Sequence, residues 1–422
     1  MAKKTLYIFN PEHDLALASG EMNYMAPASA RQMAAELALL PMWYAEEGSA
    51  VLAPSAYNMD FRKKMNEYFG NCAQLMTEIE LATESDLEFS PWGWNPALSK
   101  RLESLGVDEE RLPSMEQLMR LRENSHRFQA VSLLAKLQLD EYCCGESFYL
   151  KTSEEWKSFI EGRDACLLKA PLSGSGKGLN WCKGTLTPSL SGWCARVSAS
   201  QGGIIAEPIY NKVEDFAMEF YSDGTGKVVF AGYSVFHTGR SGMYEGNSLL
   251  PDEEIRKRLS KYVPLETLTN IMSRLTKELS TGVASGYKGY LGVDMMICRF
   301  PEESKPVYRI HPCVEINLRM NMGVVARLLY DRYVHKDSIG EFRINYYPSE
   351  GTALEEHERV SAACPLEIRD GRVRSGYLPL TPVHKKSHYR AWVFIPSDIF
   401  LCSTKLLHSK NIKSSITYHR NL

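Results

Sequence analysis

The chain has 422 residues, 44% hydrophobic and 24% charged, a balance that fills a sizeable core and suits two to four domains or one elaborated catalytic unit. Lys and Arg number 49 against 51 Asp and Glu, a net charge of −2, which argues against a general nucleic-acid binder and against a polybasic membrane-surface protein. No apolar stretch approaches the ~20 residues of a membrane span, and the run at 6–9 is too short for a signal-peptide core of ~7–15 residues. The ten cysteines lack CxxC pairs and read as reduced thiols of a cytoplasmic protein.

In chain order, residues 5–9 are five apolar or β-branched residues ended by Asn10-Pro11, a buried strand. A helix over 27–40 with Met33, Leu37 and Leu40 on one side, then a strand over 51–54, predict an α/β layer at the N-terminus. Residues 91–96, with Trp92 and Trp94, form an aromatic turn of core or interface character. Helices follow at 98–105 and 114–139, the second capped by Ser114 with Gln117 three residues on. From about 145 the texture changes to short strands between Gly-rich turns: 166–169, 203–206, and a hairpin of 216–221 and 227–235 around Asp223-Gly224-Thr225-Gly226. Residues 252–285 read as helix, 290–299 and 307–317 as a second hairpin, and 323–330 as a helix. Strands at 343–347 and 391–395 precede a basic tail.

Three segments carry chemistry. The run Lys169-Ala170-Pro171-Leu172-Ser173-Gly174-Ser175-Gly176-Lys177-Gly178 offers many backbone N–H groups at little steric cost, so it can wrap phosphate oxygens or be a plain surface loop. It matches neither GxxxxGK[ST] nor GxGxxG, and its strand lysine precedes the glycines, unlike a kinase loop. The run Glu207-Pro208-Ile209-Tyr210 ends an apolar strand in a stiffened turn; its backbone can meet a purine edge, with Glu214 or Asp215 on ribose hydroxyls, or its acids are merely solvated. On 307–317, alternation puts His311, Cys313, Glu315, Asn317 and Arg319 on one face. A turn near 303 would set Asp294 opposite Cys313 and diagonal to Glu315. Asp294, Glu315 and Asn317 then gather three oxygen donors suited to magnesium, with Arg319 able to hold a phosphoryl group bidentately. Zinc on His311, Cys313 and Glu315 lacks the usual ligand spacing. Weaker candidates are Glu12, His13 and Asp14 after the first strand, and His237, Arg240, Tyr244 and Asn247 in a polar loop. Glu355-Glu356-His357-Glu358 is not HExxH and reads as a solvated helix face.

The order of these segments resembles the ATP-grasp superfamily over about residues 115–335. The strand Cys313-Val314-Glu315-Ile316-Asn317-Leu318-Arg319 looks like that family's vEiNpR strand with Leu318 in place of Pro, and Met322-Gly323 after it is seen in carboxylate–amine ligase branches. The resemblance implies that Lys169 contacts the α-phosphate side of ATP. It makes residues 173–178 (Ser173, Gly174, Ser175, Gly176, Lys177, Gly178) a lid on the β- and γ-phosphates. Glu207, Pro208, Ile209 and Tyr210 become the adenine hinge, and Asp215, or else Glu214, the ribose acid. Asp294, Glu315 and Asn317 become the Mg2+ ligands, with Arg319 stabilising the transferred phosphoryl group. Where the family carries a further lysine, Ser125-His126-Arg127-Phe128 offers Arg127, with equal charge and different geometry.

The implied fold class is α/β and α+β: a small N-terminal α/β (pre-ATP-grasp) domain over 1–114, first ATP-grasp lobe over 115–200, second lobe over 201–340, and a C-terminal extension over 341–422. The implied activity is an ATP- and magnesium-dependent ligase that activates a carboxylate as an acylphosphate and joins it to an amine or thiol. A small-molecule kinase on the same fold and a non-catalytic nucleotide binder are the alternatives. Partners would be small carboxylates and amines, with Glu12, His13, Arg240, Tyr244 and Asn247 as substrate candidates; a homodimer stays open.

Overall fold

Thr5, Tyr7 and their apolar neighbours make the first strand because β-branched and aromatic residues suit a pleated, covered surface. In the computed structural model, which describes residues 4–70, 72–84, 86–174, 178–239 and 242–397, this strand is central in a parallel sheet. Its members are β1 (Lys4–Ile8), β2 (Ala50–Leu52), β3 (Gln74–Met76) and β4 (Leu87–Pro91), in the order β3-β2-β1-β4. The expected strand–helix–strand layer is therefore present. The helix is shorter than 27–40: it spans Ala28–Glu36, and Pro41 enters a separate 3-10 turn, Leu40–Trp43.

The first lobe is a four-stranded antiparallel sheet of β5 (Phe148–Leu150), β6 (Cys166–Lys169), β7 (Leu179–Cys182) and β8 (Ile204–Pro208), in the order β5-β8-β6-β7. The second is larger. Its strands are β9 (Lys212–Asp223), β10 (Val228–Thr238), β11 (Tyr244–Leu249), β12 (Lys288–Arg299), β13 (Tyr308–Asn317), β14 (Gly340–Tyr346), β15 (Glu367–Arg369), β16 (Arg372–Pro379) and β17 (Tyr389–Ile395). They run β13-β12-β9-β10-β11-β14-β17-β16-β15, each antiparallel to its neighbours. The boundary expected at 340 thus falls at the start of β14, inside one continuous sheet.

Two helices expected as single pieces are each broken. The first splits into Met115–Asn124, with the Ser114/Gln117 capping box in place, and Phe128–Lys136. The break at 125–127 is where the Arg127 backbone N–H bonds to the Pro171 carbonyl at 3.0 Å. The second splits into Asp252–Leu259 and Leu265–Thr281, because Pro264 fixes a non-helical approach to the second piece.

Alternation divides the large sheet. Phe216, Met218, Phe220, Val293 and Met295 pack beneath Ile255, Leu259, Leu268, Ile271 and Leu275 of the two helices. Asp215, Glu219 and Asp294 point the other way, toward the first lobe and the N-terminal sheet. That sheet is anchored by Trp43, 1% exposed, whose Nε1 donates to the Leu380 carbonyl at 2.6 Å. Burying roughly 200 Å² of indole contributes about 5 kcal/mol. The helix His13–Ser19, which follows β1, is tied to the residues after β13 through Asp14, which accepts from Arg319. None of the described helices is long and apolar enough to cross a membrane. The nine described cysteines are buried and unbridged.

Candidate active site

β12 and β13 form the floor of the site. Their outer register pairs Met296 with His311, which extrapolates to Asp294 opposite Cys313, the expected pairing. The structure corrects it: Asp294 lies directly opposite Glu315, and Gly292 opposite Asn317. One residue separates Asp294 from Met296, while Pro312, Cys313 and Val314 separate His311 from Glu315. Pro312 has no N–H for the ladder, so the strand bulges there and gains two residues. The bulge turns a diagonal pair of carboxylates into a facing pair.

Facing carboxylates repel. Burial first, then the Glu315 and Glu219 charges, hold the Asp294 carboxyl well above its ordinary range, with Asn317 opposing through a hydrogen bond. Glu219 sits one strand further in, across from Gly292 on β9. It is 1% exposed, accepts from Asn321 Nδ2 at 3.0 Å and Ser234 Oγ at 2.8 Å, and is pushed up to about 7, chiefly by burial. Three acidic groups and an amide on one face suit a hard divalent cation, which would relieve this repulsion. No cluster of three or more His, Cys, Asp or Glu side chains among the described residues forms a ready cage; Glu315 is turned to a cation of the protein instead.

That cation is Arg127. Its guanidinium donates to the Ala170 carbonyl and Ser173 Oγ, both at 2.6 Å, to the Ser173 carbonyl at 2.9 Å and to Glu315 Oε1 at 2.7 Å. It therefore ties the Gly/Ser loop to the acidic floor. Arg319 is likewise engaged: Nε and Nη2 grip Asp14 Oδ1 and Oδ2 at 2.7 and 2.8 Å. Burial alone would raise the Asp14 carboxyl, but the Arg319 charge and hydrogen bonds outweigh it and hold it below the ordinary range. Gly174 comes so close that a Cβ there would lie 1.9 Å from Asp14 Oδ2. Lys169, at the end of β6, pairs with Glu207 of β8 at 2.6 Å, both buried. A small cavity lies between these groups, lined among others by Asp14, Ser173, Glu315, Asn317 and Arg319.

The expected residues thus fall in three places. Arg127, Ser173, Gly174, Asp294, Glu315, Asn317 and Arg319 converge, and Gly178 closes the loop by accepting from the Ala170 N–H at 2.8 Å. Lys169, Glu207, Pro208, Ile209 and Tyr210 form the neighbouring edge, where Tyr210 Oη accepts from the Glu146 N–H at 2.8 Å. Of the two ribose candidates, Asp215 shares the site face and accepts from Thr238 Oγ1 at 2.8 Å, whereas Glu214 points away and is clamped by Arg258 at 2.8 and 2.9 Å. Ser175, Gly176, Lys177 and Arg240 lie outside the described residues.

The substrate candidates fare unevenly. His13 lines the cavity but is walled in by Gly93 and lowered to about 4, mainly by burial. Glu12 precedes its helix with Oε2 buried and without a hydrogen-bond partner among the described residues. Tyr244 and Asn247 lie away from the cavity lining: the Tyr244 hydroxyl bonds to Asn247, whose Nδ2 donates to the Val235 carbonyl at 3.2 Å. Asp14's grip on Arg319, and Glu219 with Asn321, were not foreseen. The available signal for Glu219 was a lone acid in the apolar run Phe216–Tyr221.

Glu219 carries a pH prediction. Its raised value means that the stability it contributes is complete below about pH 4.5 and is lost as pH rises through about 7. Glu219→Gln should therefore flatten the fall in thermal midpoint between about pH 5 and about pH 8 in metal-free protein. Identical pH profiles for both proteins would rule this out.

No protein-family model matches the sequence, and no curated protein does. Solved structures do. Biotin carboxylase from Campylobacter jejuni, in a β-γ-ATP complex, aligns with a TM-score of 0.50 and 12% identity, over 93% of this chain and 87% of that one. N5-carboxyaminoimidazole ribonucleotide synthetase from Thermus thermophilus aligns with a TM-score of 0.50 and 10% identity, over 97% of this chain and 100% of that one. The chain has the ATP-grasp fold, preceded by a small α/β domain.

Proposed function

We propose that this chain is an ATP- and magnesium-dependent ligase, which activates a substrate carboxylate as an acylphosphate and joins it to an amine or, as a variant, a thiol. The observation that carries the reading is that Ser173, Glu315, Asn317 and Arg319 line one cavity, with Asp294 facing Glu315 across the strand pair and Arg127 tying Glu315 to Ser173. The β-γ-ATP carried by the Campylobacter neighbour supports the choice of nucleotide.

The reaction needs a carboxylate to approach a triphosphate, anion against anion. Magnesium held by Asp294, Glu315 and Asn317 would supply Lewis-acid charge at the phosphates. Arg127 and Lys169 offer fixed positive charge along the phosphate chain, at the cost of releasing Glu315 and Glu207. Arg319, once Asp14 releases it, would offer a bidentate fork for the oxygens of the transferring phosphoryl group. Ser173 lines the cavity and Gly174 packs against Asp14 beside it, a cover that would protect an acylphosphate from water. The amine then displaces phosphate from the acyl carbon.

The test supplies the full chain with ATP, Mg2+ and a matrix of carboxylates and amines, and follows ADP and phosphate. Release that requires both a carboxylate and an amine is expected. A stable phosphorylated product without amine dependence would instead make it a kinase, and tight ATP binding with no ADP from any pairing would make it a binder.

A further inference from the structure

His311 is completely enclosed, 0% exposed, and neither ring nitrogen has a hydrogen-bond partner among the described residues. Burying both nitrogens unpaired is costly, and such groups call for a partner. Three neighbours fix the ring. Gly145 lies close against it: a Cβ there would sit 2.5 Å from Cδ2 and 2.6 Å from Nε2. Tyr210, at the end of the expected hinge, meets it edge-on with centroids 5.6 Å apart. Glu207 and Lys169 supply the nearest acting charges. In the sheet it stands beside Met296, which in turn faces Asp215. His311 therefore occupies the corner where the hinge, the Lys169–Glu207 pair and the second-lobe sheet meet.

We propose that His311 is a specificity residue that reads the base of the bound nucleotide, accepting a hydrogen bond from the 6-amine of adenine. This rests on the ATP reading above and deepens it. Burial, with help from Lys169 and against the pull of Glu207, lowers the imidazole to about 4, so the ring is neutral and keeps one nitrogen lone pair. A lone pair accepts from the amine at C6 of adenine, and a base that carries no group there leaves the buried nitrogen unpaired. Because Gly145 and Tyr210 confine the ring, it cannot turn away from the wrong base, and an unpaired buried group makes that base bind poorly.

The experiment measures displacement of a fluorescent ATP analogue from the full chain in MgCl2 by ATP, GTP and a purine nucleoside triphosphate lacking the 6-amine. The unaltered protein should prefer ATP by about tenfold over the analogue without the amine, the worth of one buried hydrogen bond. His311→Leu should bring the ratio of ATP to analogue affinity to about one. His311→Gln, which restores an acceptor oxygen, should recover part of the preference. Equal affinity for ATP and the analogue in the unaltered chain overturns the proposal, with no variant needed. So does a preference that survives in His311→Leu while nucleotide binding is intact. Failure of every nucleotide to displace the probe at any concentration overturns the ATP reading itself, and the histidine's role with it.

Discussion

Glu315→Gln is expected to lower magnesium-dependent ADP formation by about 10³-fold or more while moving the thermal midpoint little, because relief of the repulsion between Glu315 and Asp294 offsets the counter-charge that Arg127 loses. Glutamine keeps an oxygen for the Arg127 Nη2 that now lies 2.7 Å from Glu315 Oε1, so the tie between the loop and the floor survives. It removes the charge that a divalent ion would need, and Lewis-acid stabilisation is worth several kcal/mol, about tenfold in rate per 1.4 kcal/mol. Glu315→Ala should add a structural loss of about 1–3 kcal/mol, since Arg127 then gives up a charged hydrogen bond in a largely covered place. Asp294→Asn separates the two effects most clearly. It relieves the repulsion that keeps the Asp294 carboxyl raised, so the metal-free protein should become more stable as turnover collapses. Chemical denaturation and an ADP assay on the three variants check both. Turnover unchanged in Glu315→Gln and Asp294→Asn would dismiss the metal role, and a stability loss in Asp294→Asn would dismiss the electrostatic account.

Much of this site could be read before any coordinates because its parts are local. A lysine, a Gly/Ser loop and a Glu-x-Asn-x-Arg strand announce themselves through residue type and spacing, and hairpin alternation puts the donors on one face. What could not be read depends on events far along the chain. The Pro312 bulge shifted the register by two residues, and a proline in a strand signals that a bulge is allowed, not how many residues it holds. The break at Ser125–Arg127 looked like unbroken helix because 114–139 has good helix formers throughout; a contact to Pro171 overrides that preference. The Asp14–Arg319 pair joins residues 305 apart, and no spacing rule reaches so far. The end of the chain was half legible: the strands expected at 343–347 and 391–395 are β14 and β17, but β15 and β16 escaped, and the place of all four in the sheet follows only from the open edge of β11.

The pair that spacing could not reveal should also matter most for stability. Asp14→Asn is expected to cost about 2–4 kcal/mol at neutral pH, because it leaves the Arg319 guanidinium, 13% exposed, without its counter-charge. Because Arg319 holds the Asp14 carboxyl below its ordinary range, this contribution is present above about pH 4 and disappears as pH falls through the depressed value; the variant and the unaltered protein should therefore converge in acid. Gly174→Ala attacks the same contact from the loop, where its Cβ would intrude on Asp14 Oδ2. If both act on one latch, the double variant should cost clearly less than the sum of the singles, and urea unfolding of the four proteins measures that coupling. MgATP gives the same cycle a functional sense. A triphosphate reaching Arg319 would bring negative charge to the group that Asp14 now neutralises, so saturating nucleotide should stabilise Asp14→Asn more than the unaltered chain. Equal stabilisation of both would mean that nucleotide never takes Asp14's place at Arg319, and the phosphoryl-binding role given to this arginine would fall.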